Sequence, residues 1–170
     1  METNAATQPR RKKSELTGPS TGTWHMIPLY ALKLVREGIQ PAESNIVRAP
    51  GDAAAILSTY LQDPPQEHFV VMLLNTKNRV IGVNTVYVGS VHTTVLRVAE
   101  IFRPAILGNA TAIVVSHNHP SGDPTPSPED VAVTREIVQA GKLLDIEVLD
   151  HVVLGEPGRF VSLKERGLGW

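Results

Sequence analysis

Residues 111–130 read TAIVVSHNHPSGDPTPSPED, and this stretch decides the fold. It begins with the apolar run 111–116, which predicts a short strand buried on both faces. A proline-rich loop follows. Residues 127–130 (SPED) then have the composition of a helix start, with serine as N-cap, proline at the first helical position and acidic residues in the first turn. The stretch therefore predicts a strand, a loop and a helix in succession.

Apolar runs, turn residues and helix signals before and after this stretch predict the remaining helices and strands. Residues 68–74 (HFVVMLL) and 80–88 read as two strands joined by turn residues, so we expect a hairpin there. Two later strands are predicted over 146–154 and 159–163. Helical signals cover Ile27–Val35, Ala53–Leu61 behind an Asp52 N-cap, 94–107 with Pro104 near its end, and Ser127–Leu144. Helices and strands alternate, which indicates an α/β fold with one mixed sheet flanked by helices.

The chain of 170 residues suits one domain of ordinary size with polar extensions. Residues 1–25 form a polar, basic arm that we expect to be disordered, because it has too few apolar side chains to offset the entropy of ordering. Residues 26–65 read as a helical lead-in that ends at the Pro64-Pro65 pair. Residues 66–170 then form the main domain.

Composition excludes several classes of function. The chain has no cysteine, which rules out disulfides, thiolate-bound metals and a cysteine nucleophile. The formal charge of −1 argues against binding to nucleic acid or lipid through bulk charge. No apolar run approaches the roughly 20 residues of a membrane-spanning helix, and the N-terminus has no secretory signal. We therefore expect a cytoplasmic protein without a membrane partner.

Three residues of the opening stretch have the pattern of a metal site. His117 and His119 are two positions apart at the end of a strand, so both imidazoles can point the same way. Asp130 lies in the first turn of the next helix, which can fold back over the strand end. Two histidines and one carboxylate leave a fourth tetrahedral position for water, as in catalytic zinc sites. The alternative is ordinary loop chemistry for the histidines and helix capping for Ser127 and Asp130.

A family resemblance favours the metal site. The spacing His-x-His, seven residues, Ser, two residues, Asp matches the JAMM motif of JAB/MPN zinc metalloproteases at His117, His119, Ser127 and Asp130. The longer string HNHPSGDPTPSPED, with LDHVVLG and SLKERGL downstream, resembles the RadC branch over roughly residues 40–168. The resemblance implies a cytidine-deaminase-like JAB/MPN fold that holds one Zn²⁺ per chain on His117, His119 and Asp130.

The same resemblance implies two catalytic residues. The family's proton-shuttling glutamate stands just before the first apolar strand, which here is Glu67 in the context Gln66-Glu67-His68. Glu100, on the helix predicted over 94–107, is the rival carboxylate. The family's serine corresponds to Ser127, which would donate a hydrogen bond to the oxyanion of the tetrahedral intermediate. His151 is expected to be a core residue or to support a metal ligand.

These residues imply a metallopeptidase that cleaves a peptide or isopeptide bond in a protein or peptide substrate. One alternative is a metal-dependent nuclease or accessory factor in DNA metabolism, because an activated water also attacks phosphorus. Four cations of the arm, Arg10, Arg11, Lys12 and Lys13, give only a weak indication of DNA contact, and the rest of the chain has three more acidic than basic residues. The second alternative is an MPN scaffold without turnover, which the intact ligand set disfavours.

Overall fold

The computed structural model describes residues 27–89 and 97–170. The basic arm and residues 90–96 lie outside this range, as do the first three residues of the helix predicted over 94–107. The described helices and strands follow one another in this order: α1 (Pro50–Leu61), β1 (His68–Leu74), β2 (Val80–Val88), α2 (Val98–Leu107), β3 (Ala112–Asn118), α3 (Pro128–Leu144), β4 (Glu147–Leu154) and β5 (Phe160–Ser162). Every strand predicted from the sequence is present.

The five strands form one mixed sheet in the order β2-β1-β3-β4-β5. β1 pairs antiparallel with β2 and with β3, and β5 pairs antiparallel with β4. β3 and β4 are parallel, which requires a crossover, and α3 provides it. The expected α/β class with a mixed sheet is therefore confirmed.

The central strands are apolar on both faces because helices cover both sides of the sheet. In β1, Phe69, Val71 and Leu73 pack towards α2 and α3, whereas Val70, Met72 and Leu74 pack towards α1. β3 alternates in the same way, with Ile113 and Val115 on the α2/α3 side. This alternation places the next odd-numbered residue, His117, on the α2/α3 side, directly opposite Phe69 of β1.

The N-terminal lead-in differs from the sequence prediction. No helix or strand forms between residues 27 and 45, so the helix predicted over Ile27–Val35 was wrong. Apolar side chains such as Leu32 and Ile39 are exposed there, and a short helix without a buried apolar face is marginal in water. Residues 27–31 group separately from the domain that follows.

The start of α1 also differs. The helix begins at Pro50, and Asp52 is its third residue rather than its N-cap. The Asp52 carboxylate accepts hydrogen bonds from the backbone N–H groups of Arg48 and Ala49, at 2.7 and 3.1 Å. It therefore ties down the chain before the helix, which is what an acidic residue at the third helical position does.

None of the helices in the described residues is both long enough and apolar enough to cross a bilayer.

The end of α3 packs against β4 through a glycine. A Cβ built on Gly141 would lie 2.6 Å from the backbone oxygen of Ile146 and 2.8 Å from Cγ2 of Val148. Ile146 lies in the turn that leads into β4, Val148 is the second residue of that strand, and both side chains are buried. The close approach of helix to strand therefore depends on the absence of a side chain at this position.

Gly141→Ala is expected to lower the free energy of unfolding by about 1–3 kcal/mol through overpacking. Helix propensity alone would have the opposite effect on stability, because alanine in place of glycine stabilises a helix by about 1 kcal/mol. Urea unfolding measures the change. Ala132→Gly, at an exposed position of the same helix, is the control for propensity alone. A Gly141→Ala protein as stable as wild type or more stable would contradict the packing account.

Candidate metal centre

The two histidines of the motif meet at the carboxyl end of β3. His117 is the sixth of the seven residues of the strand and is fully buried. His119 follows the strand, and its backbone N–H donates to the carbonyl of Leu154 on β4 at 2.8 Å. The backbone thus stays extended through both positions, and their Nε2 atoms lie 3.0 Å apart. The expectation that both imidazoles point the same way is confirmed.

Asp130 reaches the same point because of how α3 begins. Ser127 is the N-cap, and its hydroxyl oxygen accepts from the Asp130 backbone N–H at 3.1 Å. In return, Oδ2 of Asp130 accepts from the backbone N–H and from the hydroxyl of Ser127, both at 2.7 Å. This capping box satisfies Oδ2 and fixes the carboxylate. The other oxygen, Oδ1, faces Nε2 of His117 at 3.2 Å.

The three side chains fit a tetrahedral metal ion. Ligand atoms at roughly 2.0–2.1 Å from a tetrahedral zinc stand about 3.3–3.4 Å from each other. The Nε2 atoms are 3.0 Å apart, Nε2 of His117 is 3.2 Å from Oδ1 of Asp130, and Nε2 of His119 is 3.7 Å from Oδ2. His117, His119 and Asp130 therefore form a group that could hold a metal ion.

The hydrogen bonds of His119 leave its Nε2 suited to a cation. Its Nδ1 lies 2.7 Å from the backbone oxygen of Asp123, which can only accept, so Nδ1 carries the proton. In the neutral ring Nε2 then has a lone pair directed towards His117 and Asp130. The Asp123 carboxylate accepts hydrogen bonds from the backbone N–H and the hydroxyl of Thr125, at 3.1 and 2.8 Å, and so stabilises the loop.

Charge at the centre favours a cation, either a proton or a metal. The neighbouring carboxylate of Asp130 raises the pKa of His119 above its ordinary value, although burial works in the opposite direction. Burial alone would raise the pKa of Asp130, but the imidazoles of His117 and His119 beside it hold that pKa well below the usual range for a carboxyl group. Protons and a metal ion therefore compete for this site.

His117 is enclosed by aromatic rings and by a second pair of polar residues. Its ring stacks on Phe69 with centroids 6.1 Å apart and an angle of 6° between the planes. Its Nδ1 lies 2.9 Å from Nε2 of His151, and Nδ1 of His151 lies 2.5 Å from Oγ1 of Thr134. Burial lowers the pKa of His151 well below its ordinary value.

The sequence pattern predicted a role for His151 but not for Thr134. His151 was expected either in the core or behind a ligand, and the structure places it behind His117. Thr134 was missed, since a threonine inside a helix has no distinctive pattern. Its one available signal was the spacing of four residues from Asp130, which places its hydroxyl beside the Asp130 carbonyl.

Glu67 stands at the edge of the centre, immediately before β1, and is half-buried. Its negative charge is one of the influences that raise the pKa of His119, after the larger effect of Asp130. Glu100, the rival carboxylate, lies in the first turn of α2 and approaches Arg103 at 4.0 Å.

Asn118, between the two histidine ligands, holds the segment that carries Glu67. Its side-chain oxygen accepts from the backbone N–H of His68 at 2.8 Å, and its amide nitrogen donates to the carbonyl of Gln66 at 3.1 Å. The carbonyl of Glu67 accepts from the N–H of Gly89 at 2.8 Å. The backbone on both sides of Glu67 is therefore fixed by the same short sequence that provides the two histidines.

Asn118→Ala is expected to lower the free energy of unfolding by about 1–3 kcal/mol, because the His68 N–H and Gln66 carbonyl lose their partner. The local effect is sharper: hydrogen exchange at the His68 amide should accelerate more than exchange at the amides in the middle of β1. Gln139→Ala, at an exposed position of α3, is the control for removal of a polar side chain. Unchanged exchange at His68 would contradict this role of Asn118.

In the metal-free protein, NMR titration of the His119 ring should give a pKa above the ordinary histidine value. Asp130→Asn is expected to lower that pKa, since it weakens the main interaction that raises it while burial remains; Glu67→Gln should lower it by less. Because the folded-state pKa is raised, the pair stabilises the metal-free fold below the ordinary histidine pKa, and this stabilisation is lost as pH rises through the raised pKa. An unchanged His119 pKa in Asp130→Asn would contradict the contact.

Comparisons with known proteins identify the family of this domain. A protein-family model described as a RadC-like JAB domain matches residues 47–168, which include all the described helices and strands. A UPF0758 protein from Roseiflexus sp. (strain RS-1) is 55% identical over 128 residues, covering 75% of this chain and 54% of the relative. A UPF0758 protein from Chloroflexus aggregans is 50% identical over 138 residues, covering 81% and 59%.

A third relative, the UPF0758 protein of Moorella thermoacetica, is 49% identical over 123 residues, covering 72% of this chain and 53% of the relative. The chain thus spans a little over half the length of these curated relatives. The sheet flanked by helices is consistent with a JAB/MPN domain. Since the family model covers most of the sequence, the chain belongs to the RadC-like JAB domain family.

Proposed function

We propose that this protein is a zinc-dependent hydrolase of the JAMM type that cleaves a peptide or isopeptide bond. The observation that carries the proposal is the convergence of Nε2 of His117, Nε2 of His119 and a carboxylate oxygen of Asp130, all within 4.8 Å of one another. Three such ligands hold one zinc ion and leave a position open to water, which distinguishes catalytic from structural zinc sites.

A bound zinc ion lowers the pKa of a coordinated water to about 7 and polarises a carbonyl oxygen. The chain's own contribution begins with Glu67. Its carboxylate accepts the proton of the attacking water and delivers it to the leaving amine, as a general base that then acts as an acid. The fixed backbone around Glu67 supports this role, because a general base must be held within hydrogen-bonding reach of the proton it takes.

Ser127 has two roles in this proposal. Its hydroxyl proton points at Oδ2 of Asp130, so the residue orients a ligand. To stabilise an oxyanion, the hydroxyl must turn its proton from Asp130 towards the substrate. The capping bond from the Asp130 N–H to Oγ uses a lone pair and leaves this rotation open. Ser127→Ala is therefore expected to weaken both zinc binding and turnover.

Glu67 and Glu100 can be separated by matched variants. Glu67→Gln should keep zinc bound at one per chain and lower kcat at least a hundredfold, because general acid–base catalysis contributes about 10²–10⁴-fold. Glu100→Gln, the matched control, should retain wild-type kcat and zinc content. A fully active Glu67→Gln enzyme would contradict the assignment of the base.

The class of substrate is tested with zinc-loaded protein against a peptide library, an isopeptide-linked peptide, and single- and double-stranded DNA. Cleavage of an amide bond that disappears in both His117→Ala and Asp130→Asn is expected. DNA cleavage that depends on the same residues would replace the proposal with the nuclease alternative. Stoichiometric zinc without cleavage of any substrate would favour the scaffold.

A further inference from the structure

A chain of hydrogen bonds runs behind the candidate metal centre and joins two of its ligands. Oγ1 of Thr134 lies 2.5 Å from the backbone oxygen of Asp130 and 2.5 Å from Nδ1 of His151. Nε2 of His151 lies 2.9 Å from Nδ1 of His117. Thr134, His151 and His117 are all fully buried, so water does not compete for these contacts.

The hydrogen bonds of Thr134 determine which group donates and which accepts at each step of this series. The carbonyl oxygen of Asp130 has no hydrogen, so an oxygen 2.5 Å away must donate to it. The single proton of the Thr134 hydroxyl is therefore directed to Asp130. Towards His151 the hydroxyl can only accept, which requires a proton on Nδ1 of His151.

The donor and acceptor roles of Thr134 also determine which ring nitrogens of His151 and His117 carry a proton. The two ring nitrogens of His151 face the His117 ring and the Thr134 hydroxyl, which are both uncharged partners, and a fully buried imidazole in such surroundings stays neutral. Its single ring proton is on Nδ1, so its Nε2 accepts a hydrogen bond from His117. His117 therefore carries its proton on Nδ1, and its Nε2 presents a lone pair to His119 and Asp130.

We propose that Thr134 and His151 are positioning residues that hold His117 in the Nδ1–H tautomer and so prepare its Nε2 to bind a metal ion. This proposal rests on the proposed function for the metal itself, but the tautomer belongs to the metal-free protein. Groups that orient metal-binding histidines typically contribute 10–100-fold to metal affinity. They act on the ligand and touch neither the substrate nor the reacting atoms.

Removal of the Thr134 hydroxyl should exchange the donor and acceptor in the hydrogen bond between His151 and His117. In Thr134→Val, an Nδ1–H of His151 would face a methyl group and lose its acceptor, which is costly in a buried site. His151 then moves its proton to Nε2 and donates to Nδ1 of His117. His117 is left with an Nε2–H directed at Oδ1 of Asp130, and a metal ion must displace that proton before it can bind.

NMR of the metal-free protein with ¹⁵N-labelled histidine tests this directly, since the two tautomers differ in their ¹⁵N shifts and long-range couplings. In wild type, His117 and His151 should both show protonated Nδ1 and unprotonated Nε2. In Thr134→Val, both rings should change to the Nε2–H form. His117 protonated at Nε2 in wild type, or unchanged tautomers in Thr134→Val, would overturn the proposal.

Zinc affinity, measured by competition with a chromogenic chelator, gives the second readout. Thr134→Val is expected to weaken binding 10–100-fold, and Thr134→Ser, which keeps the hydroxyl, should restore it to within a fewfold of wild type. Thr59→Val is the matched control, because the Thr59 hydroxyl makes the same bond to the carbonyl four residues earlier, at 3.0 Å, on an exposed face of α1. It should leave both readouts unchanged.

Failure of this proposal and failure of the proposed function give different results. Wild-type protein that binds no zinc but shows the expected tautomers would reject the metal hydrolase and keep the positioning role. Wild-type protein that binds zinc with unchanged affinity in Thr134→Val would reject the positioning role and keep the hydrolase. Thermal unfolding of each variant checks that the fold is retained.

Discussion

The buried carboxylate of Asp130 is the constraint on which the arrangement of the site depends. Only about 4% of its side-chain surface is exposed, and a charge in such a place must be compensated. Two donors of Ser127 satisfy one of its oxygens, and the imidazoles of His117 and His119 face the carboxylate from the other side. A positive charge between the carboxylate and the imidazoles would complete this compensation.

The fold brings these groups together through ordinary strand and helix geometry. Alternation along β3 sends His117 towards α2 and α3 and Asn118 towards the segment before β1, so one short sequence contributes a ligand and anchors the candidate base. The crossover from β3 to β4 requires a helix, and its first turn provides Asp130. The site lies at the carboxyl end of a strand where a crossover begins, a common place for ligands in α/β proteins.

The sequence predicted the parts that depend on local pattern. Apolar runs identified all five strands, and the spacing of His117, His119 and Asp130 identified the candidate ligands. The helix over Ile27–Val35 failed because periodicity does not reveal whether an apolar face will find a partner to pack against. The roles of Thr134 and Asn118 were missed for a related reason. Each side chain forms hydrogen bonds with residues that are distant in sequence and that only the folded chain brings close.

The proposed metal site places one metal ion on His117, His119 and Asp130 and leaves one coordination position open. Anomalous diffraction at the zinc edge, from crystals of zinc-loaded protein, tests it most directly. One strong peak per chain is expected at about 2.0–2.2 Å from Nε2 of His117, Nε2 of His119 and a carboxylate oxygen of Asp130, with a fourth ligand from solvent. A peak elsewhere with these three side chains unliganded, or a fourth ligand from the chain itself, would contradict it.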